Sequence, residues 1–172
     1  MKKKANGFTV VELISTIVIV ALISASVSSR WFSDDAYNVS TASSQLVSIA
    51  HLAQKISMSH GGVDIHLQIS QQPDQWRYSI IEDDGGVLTT LHQFEVEGRN
   101  IDIDVTAGIG PTTLSTGTDL DLEYDSLGNV SDIYIGAVQG TVSSGIAILL
   151  SGSFDNPVCI SPLGFAHDGS CV

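Results

Sequence analysis

The side chains able to do chemistry are few: five histidines, two cysteines, an alternating run of carboxylates and one serine–glycine stretch. His51, His60, His66, His92 and His167 show neither an HExxH pattern nor a paired spacing that would set two imidazoles on one metal. Each reads as a solvated or half-exposed residue. Asp119, Asp121, Glu123 and Asp125 alternate, which places four carboxylates on one face of a strand. A solvated sheet face is the expectation there. A Ca²⁺ site is the sharper alternative, but the run lacks the turn glycine of an EF-hand loop and ligands on a flat strand converge poorly. Gly140-Thr141-Val142-Ser143-Ser144-Gly145 has the wrong spacing for a nucleophile elbow. Without a GxSxG, a phosphate loop or a GxGxxG, the sequence points to no enzyme, cofactor, metal or small-molecule substrate. Trp76 and Tyr78 share a strand face, where core packing is the commoner role and sugar or subunit binding the alternative.

The remaining unusual side chain is Glu12. It is the single charge in the twenty residues Phe8 to Val27, FTVVELISTIVIVALISASV, which follow a basic head containing Lys2, Lys3 and Lys4. Twenty helical residues span about 30 Å, the hydrocarbon thickness of a bilayer. The lysines predict that the short N-terminal side stays in the cytoplasm and the remainder is exported. An ionised carboxylate in such a segment costs about 2.5–3.5 kcal/mol and needs a partner. An ordinary secretory signal is one reading, with small residues from Ala21 to Ser26 as its cleavage region, but its apolar part is typically about 7–15 residues. A plain signal anchor leaves Glu12 unexplained. Cleavage between Gly7 and Phe8 retains the helix and sets Glu12 one turn from a new amino terminus, whose positive charge can neutralise it.

Gly7-Phe8-Thr9-Val10-Val11-Glu12-Leu13 resembles, position for position, the prepilin signature of type IV pilins and type II secretion pseudopilins. The resemblance continues more weakly through Arg30-Trp31-Phe32. It implies processing by a prepilin peptidase after Gly7, N-methylation of Phe8, and docking of Glu12 against the Phe8 amine of a neighbouring subunit. Ser29 stands where many pilins have a helix-bending proline, and Ala21 where many have glycine; both favour an unbroken helix. The C-terminal CISPLGFAHDGSC is similar to minor pilins of the mannose-sensitive haemagglutinin (MSHA) type. These likenesses imply a minor pilin with a structural role in filament biogenesis. A minor pseudopilin is the alternative, and a membrane-anchored glycan-binding adhesin module a second one.

Composition sets further limits. The net charge is −12, and loss of the three leader lysines leaves 4 basic against 19 acidic side chains, or −15. Such a surface is a poor partner for nucleic acid, whose binding rests on phosphate neutralisation by Lys and Arg. The expected partners are other pilin subunits, the prepilin peptidase and the inner membrane. Cys159 and Cys171 stand near the end with eleven residues between them. In an exported body a disulfide is expected, closing a loop worth roughly 3 kcal/mol. A metal pair or a redox pair competes with it, although the spacing is no CxxC and no second cysteine pair exists to complete a zinc site.

Stepping along the chain, apolar residues recur at threes and fours from Phe32 to Ala53, strengthening after Leu46, until Gly61-Gly62 stops the pattern. One helix from 8 to 60, 53 residues and about 80 Å long, is predicted. Strands are predicted at Val63–Ile69, Gln75–Ile81, Val87–Phe94, Arg99–Val105, Thr118–Tyr124, Val130–Ile135 and Val142–Leu150. Turns are predicted at 82–86 and 125–129, and a loop over 108–118. The expected fold class is α+β and type IV pilin-like: a long N-terminal helix, its first half (8–27) transmembrane, packed on a single antiparallel sheet domain (61–172) with a disulfide loop at 159–171, after a leader at 1–7. The expected location is the bacterial inner membrane, single-pass with a cytoplasmic N-terminus and a periplasmic C-terminal domain, and then the pilus or cell surface.

Overall fold

The computed structural model describes residues 9–28, 34–98, 100–108 and 110–171. The chain divides into two compact units, Met1–Asp34 and Asp35–Val172.

The first unit contains helix α1, Val10–Ser28. Thr9 caps it: its hydroxyl accepts the Glu12 amide at 3.3 Å, and its carbonyl accepts the amides of Glu12 and Leu13 at 3.1 and 3.2 Å. Thr9-x-x-Glu12 has the capping-box spacing, and an acidic side chain in the first turn suits the positive end of the helix dipole. Inside the helix Ser15 and Thr16 turn their hydroxyls back onto the Glu12 carbonyl at 2.9 and 3.0 Å.

The single-pass location expected from the sequence is overturned here: among the described residues no helix is long and apolar enough to cross a membrane. Capping moves the helix start to Val10, so its 19 residues reach about 28 Å. Glu12, Ser15 and Thr16 at one end and the serines from Ser24 onward at the other confine the uninterrupted apolar run to Ile17–Ile23.

The second helix, α2, spans Asp34–Ser59. In place of one 53-residue helix the structure thus has two, of 19 and 26 residues. The stretch between the two helices, residues 29–33, lies outside the described residues. Val39, Ala42, Leu46, Ile49, Ala50 and Ala53 form the buried stripe of α2. The spacing of threes and fours is what a helix laying one face on a core requires. Full burial of a side chain such as Leu46 contributes about 1.5–3 kcal/mol.

Among the described residues eleven strands follow, all paired antiparallel. They are β1 (Asp64–Gln71), β2 (Gln75–Asp84), β3 (Val87–Glu97), β4 (Asp102–Ala107), β5 (Gly110–Thr113), β6 (Leu120–Tyr124), β7 (Val130–Ile135), β8 (Val138–Gln139), β9 (Ile146–Ser151), β10 (Asp155–Ile160) and β11 (Ala166–Asp168). They make two sheets, ordered β3-β2-β1-β6-β7-β8 and β11-β10-β9-β4-β5. The expected architecture, one long helix on one sheet, is therefore corrected. The second sheet recruits β5, β10 and β11, short segments whose sequences show little alternation and whose strand character comes from neighbours.

Alternation decides which face is buried. On β1 and β6, Ile65, Leu67, Ile69, Leu120, Leu122 and Tyr124 point inward, with Ile65 opposite Tyr124 and Leu67 opposite Leu122. On β4 and β9, Ile103 meets Leu150 and Val105 meets Ile148. The inward faces of both sheets and the α2 stripe form one hydrophobic cluster. Polar ties fix the helix to each sheet. Tyr78 Oη on β2 donates to the Ala42 carbonyl at 3.4 Å, and Asn156 Nδ2 on β10 donates to Ser43 Oγ at 2.6 Å. Buried Trp76 donates its indole N–H to the Ile101 carbonyl at 3.0 Å, joining β2 to the approach of β4.

Candidate functional site

Three groups of residues stand out for function: the N-terminal helix, the C-terminal disulfide loop and the outward face of the six-stranded sheet. Gly7 and Phe8, the residues of the expected cleavage and N-methylation, lie outside the described residues. Glu12 is exposed in the first turn of α1. Around and beyond it, Val10, Val11, Leu13, Ile14, Ile17, Val18, Ile19 and Ile23 are all more than half exposed. These positions surround the helix, which presents apolar side chains on every side within its own unit. A helix of this composition is stable only when other apolar groups cover it.

Cys159 and Cys171 form a disulfide, with Cα atoms 5.1 Å apart. Neither a metal pair nor a free redox pair is present, since no cysteine of the chain is free. The bridge packs on Gly145: a Cβ there would lie 2.8 Å from the Cys171 sulfur and 3.1 Å from that of Cys159. That gives the glycine-and-serine stretch a packing role, and Ser143 and Ser144 form a bend. From α2, His51 Nε2 donates to the Ala166 carbonyl at 2.7 Å, and its ring lies 5.1 Å from that of Phe165. Gln54 Nε2 donates to the Leu163 carbonyl at 2.8 Å and to the Gly128 carbonyl at 3.1 Å. One amide thereby ties the disulfide loop to the β6–β7 turn. Gly164 (φ +78°) makes the close approach possible, because a Cβ there would fall on the Gly128 carbonyl. Sequence reasoning missed His51 and Gln54 as positioning residues. Their one signal was a polar side chain beside an otherwise apolar stripe.

Asp121 and Glu123 lie on the outward face, as alternation requires, and the new element is His66. Its Nδ1 donates to Asp121 Oδ1 at 2.9 Å across the β1–β6 pair. That hydrogen bond raises the His66 pKa against the opposing effect of burial, with Glu123 and Asp83 adding to the rise. Burial raises the Glu123 carboxyl, with His66 opposing it and Asp64 and Asp132 adding to it. Asp125 turns the other way and closes its own turn, accepting the amides of Leu127 and Asn129 and the Asn129 side chain, each at 2.9 Å. Burial pushes its carboxyl up, and these bonds outweigh that and lower it. Among the described residues no group of three or more His, Cys, Asp or Glu is placed to hold a metal ion. Trp76 and Tyr78 are fully buried, so neither ring offers a face to a ligand.

No family model, curated protein or solved structure matches the chain.

Proposed function

We propose that this chain is a minor pilin, a filament subunit recruited through helix–helix packing of its N-terminal segment after prepilin peptidase cleavage between Gly7 and Phe8. The observation that carries the reading is α1 itself, whose apolar side chains from Val10 to Ile23 face outward on every side. Copies of the same helix in other subunits are a cover of matching chemistry. Glu12, exposed in the first turn, is the one side chain in Phe8–Val27 able to set the register between such helices, by pairing with the Phe8 amine of a neighbour. The resemblance of Gly7–Leu13 to the prepilin signature supports the same reading, as does a C-terminal loop closed by a disulfide.

The test is incorporation. Glu12→Ala should leave the subunit at its normal abundance yet strongly reduce its recovery in sheared filaments, because packing surface remains and the charge pairing is lost. A Thr9→Val control removes the hydroxyl cap and keeps the carboxylate, and should incorporate nearly normally. Normal incorporation of Glu12→Ala, or a mature N-terminus other than Phe8 on Edman sequencing, would overturn the proposal.

A further inference from the structure

The outward face of the six-stranded sheet is not flat. Across β1, β2 and β3 it holds a groove of about 380 Å³ whose floor is Ser70 and Ser79 and whose walls include Gln68, Gln93, Arg77 and Asp119. The sequence creates the hollow directly. Where β1 and β2 turn Ile69 and Tyr78 into the core, their outward neighbours are two serines, while longer side chains stand on either side. The volume falls in the range of small-molecule sites, about 300–1,000 Å³.

The lining is polar and poorly occupied by its own partners. Within the described residues the side chains of Gln68, Ser70 and Ser79 make no hydrogen bond to other groups, although Ser70 and Ser79 are only 8 % and 5 % exposed. Two wall residues are held in place. Glu95 Oε1 accepts from Arg77 Nη2 at 3.1 Å and from Gln93 Nε2 at 3.3 Å, leaving further donors on both and the Gln93 carbonyl free to act outward. Arg77 Nε is enclosed without a partner, a cost of the kind native structures keep few of.

The chemistry narrows the ligand. Arg77 and Asp119 line the groove with opposite signs, and Arg77 keeps donors beyond its one contact with Glu95, so a cation would meet the guanidinium and an anion the Asp119 carboxylate. A polyanion is disfavoured further by the net charge of −12. A peptide strand would need apolar pockets for alternate side chains, and the floor is hydroxyl. Amides and hydroxyls that both donate and accept match a molecule whose own groups do the same. We infer that this groove binds a neutral saccharide, gripped edge-on by Gln68, Gln93, Ser70 and Ser79. The site lies on the face opposite to buried Trp76 and Tyr78 and is independent of the filament reading. It lacks an aromatic platform among its lining residues, so affinity is expected in the millimolar range.

The experiment uses the full chain, kept dispersed in mild non-sugar detergent, titrated with glucose, galactose, N-acetylglucosamine and maltose while side-chain amide signals are followed by NMR. Glucuronate and glucosamine serve as charged probes. At least one neutral sugar should shift the Gln68 and Gln93 amides at tens of millimolar. A Gln68→Ala, Gln93→Ala double variant should bind it about tenfold or more weakly with an unchanged melting temperature. Ser79→Leu, which fills the floor, should abolish the shifts. Absence of any shift with neutral sugars, response to the charged probes alone, or undiminished binding by the double variant would each overturn the inference.

Discussion

At the scale of the residue, His66 is the side chain whose protonation matters most. Asp121 holds it by a 2.9 Å hydrogen bond, and Glu123 on β6, Asp83 on β2 and Asp64 on its own strand crowd the same face with negative charge. Because its folded pKa is raised above the ordinary 6.5, its contribution is fully present below that value and is lost as the pH rises through the folded pKa. The melting temperature should therefore fall on going from mildly acidic to mildly alkaline buffer. In His66→Gln that fall should largely disappear when both are followed by circular dichroism. Glu123 and Asp119, whose pKa values burial raises, are present in both proteins, so the difference between the two slopes isolates the histidine. Equal slopes in the two proteins would remove His66 as the cause.

The element that best shows what holds the fold is the C-terminal loop between Cys159 and Cys171. It is secured by the bridge, by His51 and Gln54 of α2, and by the Val130 amide, which donates to the Pro162 carbonyl at 3.0 Å. Gly145→Ala drives a methyl into both sulfurs. The expected cost is about 1–3 kcal/mol, as for other overpacked sites, measured by urea unfolding. Replacing both cysteines by serine should cost about 2–3 kcal/mol, through loss of loop closure in the unfolded chain. If Gly145→Ala unfolded at the wild-type urea midpoint, the bridge would not pack as described.

At this scale the sequence also shows where it is legible. Val63 to Ile69 alternates cleanly, and a strand stands there, because a half-buried strand writes its period into the residues. The same holds for Gln75–Ile81 and Val130–Ile135, while the hairpin turn expected at 82–86 is confined to Gly85-Gly86, because β2 runs on to Asp84. The strands β5, β10 and β11 were not legible, since Pro111, Pro157 and short polar runs give no period and their pairing is set by distant partners. The division of the helical region was obscured in another way. Serines fit a helix pattern by spacing while weakening it by propensity, and a periodicity argument counts only the spacing. In the candidate sites, the Cys159–Cys171 pairing was one reading of the cysteine count and spacing, which offered neither a CxxC nor a second pair for a zinc site. The saccharide groove could not be read, because it depends on which serines three strands bring side by side.

Taken whole, the molecule is an acidic body joined in sequence to an apolar helix. Its −12 charge makes like copies repel, while the side chains of α1 favour their association. Raising salt from about 10 mM to about 150 mM shortens the screening length from about 30 Å to about 8 Å. Self-association of the full chain, followed by analytical ultracentrifugation, should strengthen over that range. Weakening with salt would instead mean that ion pairs between copies dominate. The six-stranded sheet adds a second feature at this scale. Its edges are β8, two residues long, and β3, eleven residues long. Along β3 the exposed Glu95 and Glu97 and the irregular register at Ile80/Ile81 work against pairing with a stray strand.

The Gln54 amide has a temporal consequence. The carbonyls it grips belong to residues 74 and 109 positions later in the chain. While the ribosome is still making the intervening strands, that amide has nothing to hold, and α2 must wait with one flank wet. The latch closes only when the far loop has been synthesised, so a product truncated before residue 163 would leave that side of the amide without its carbonyl.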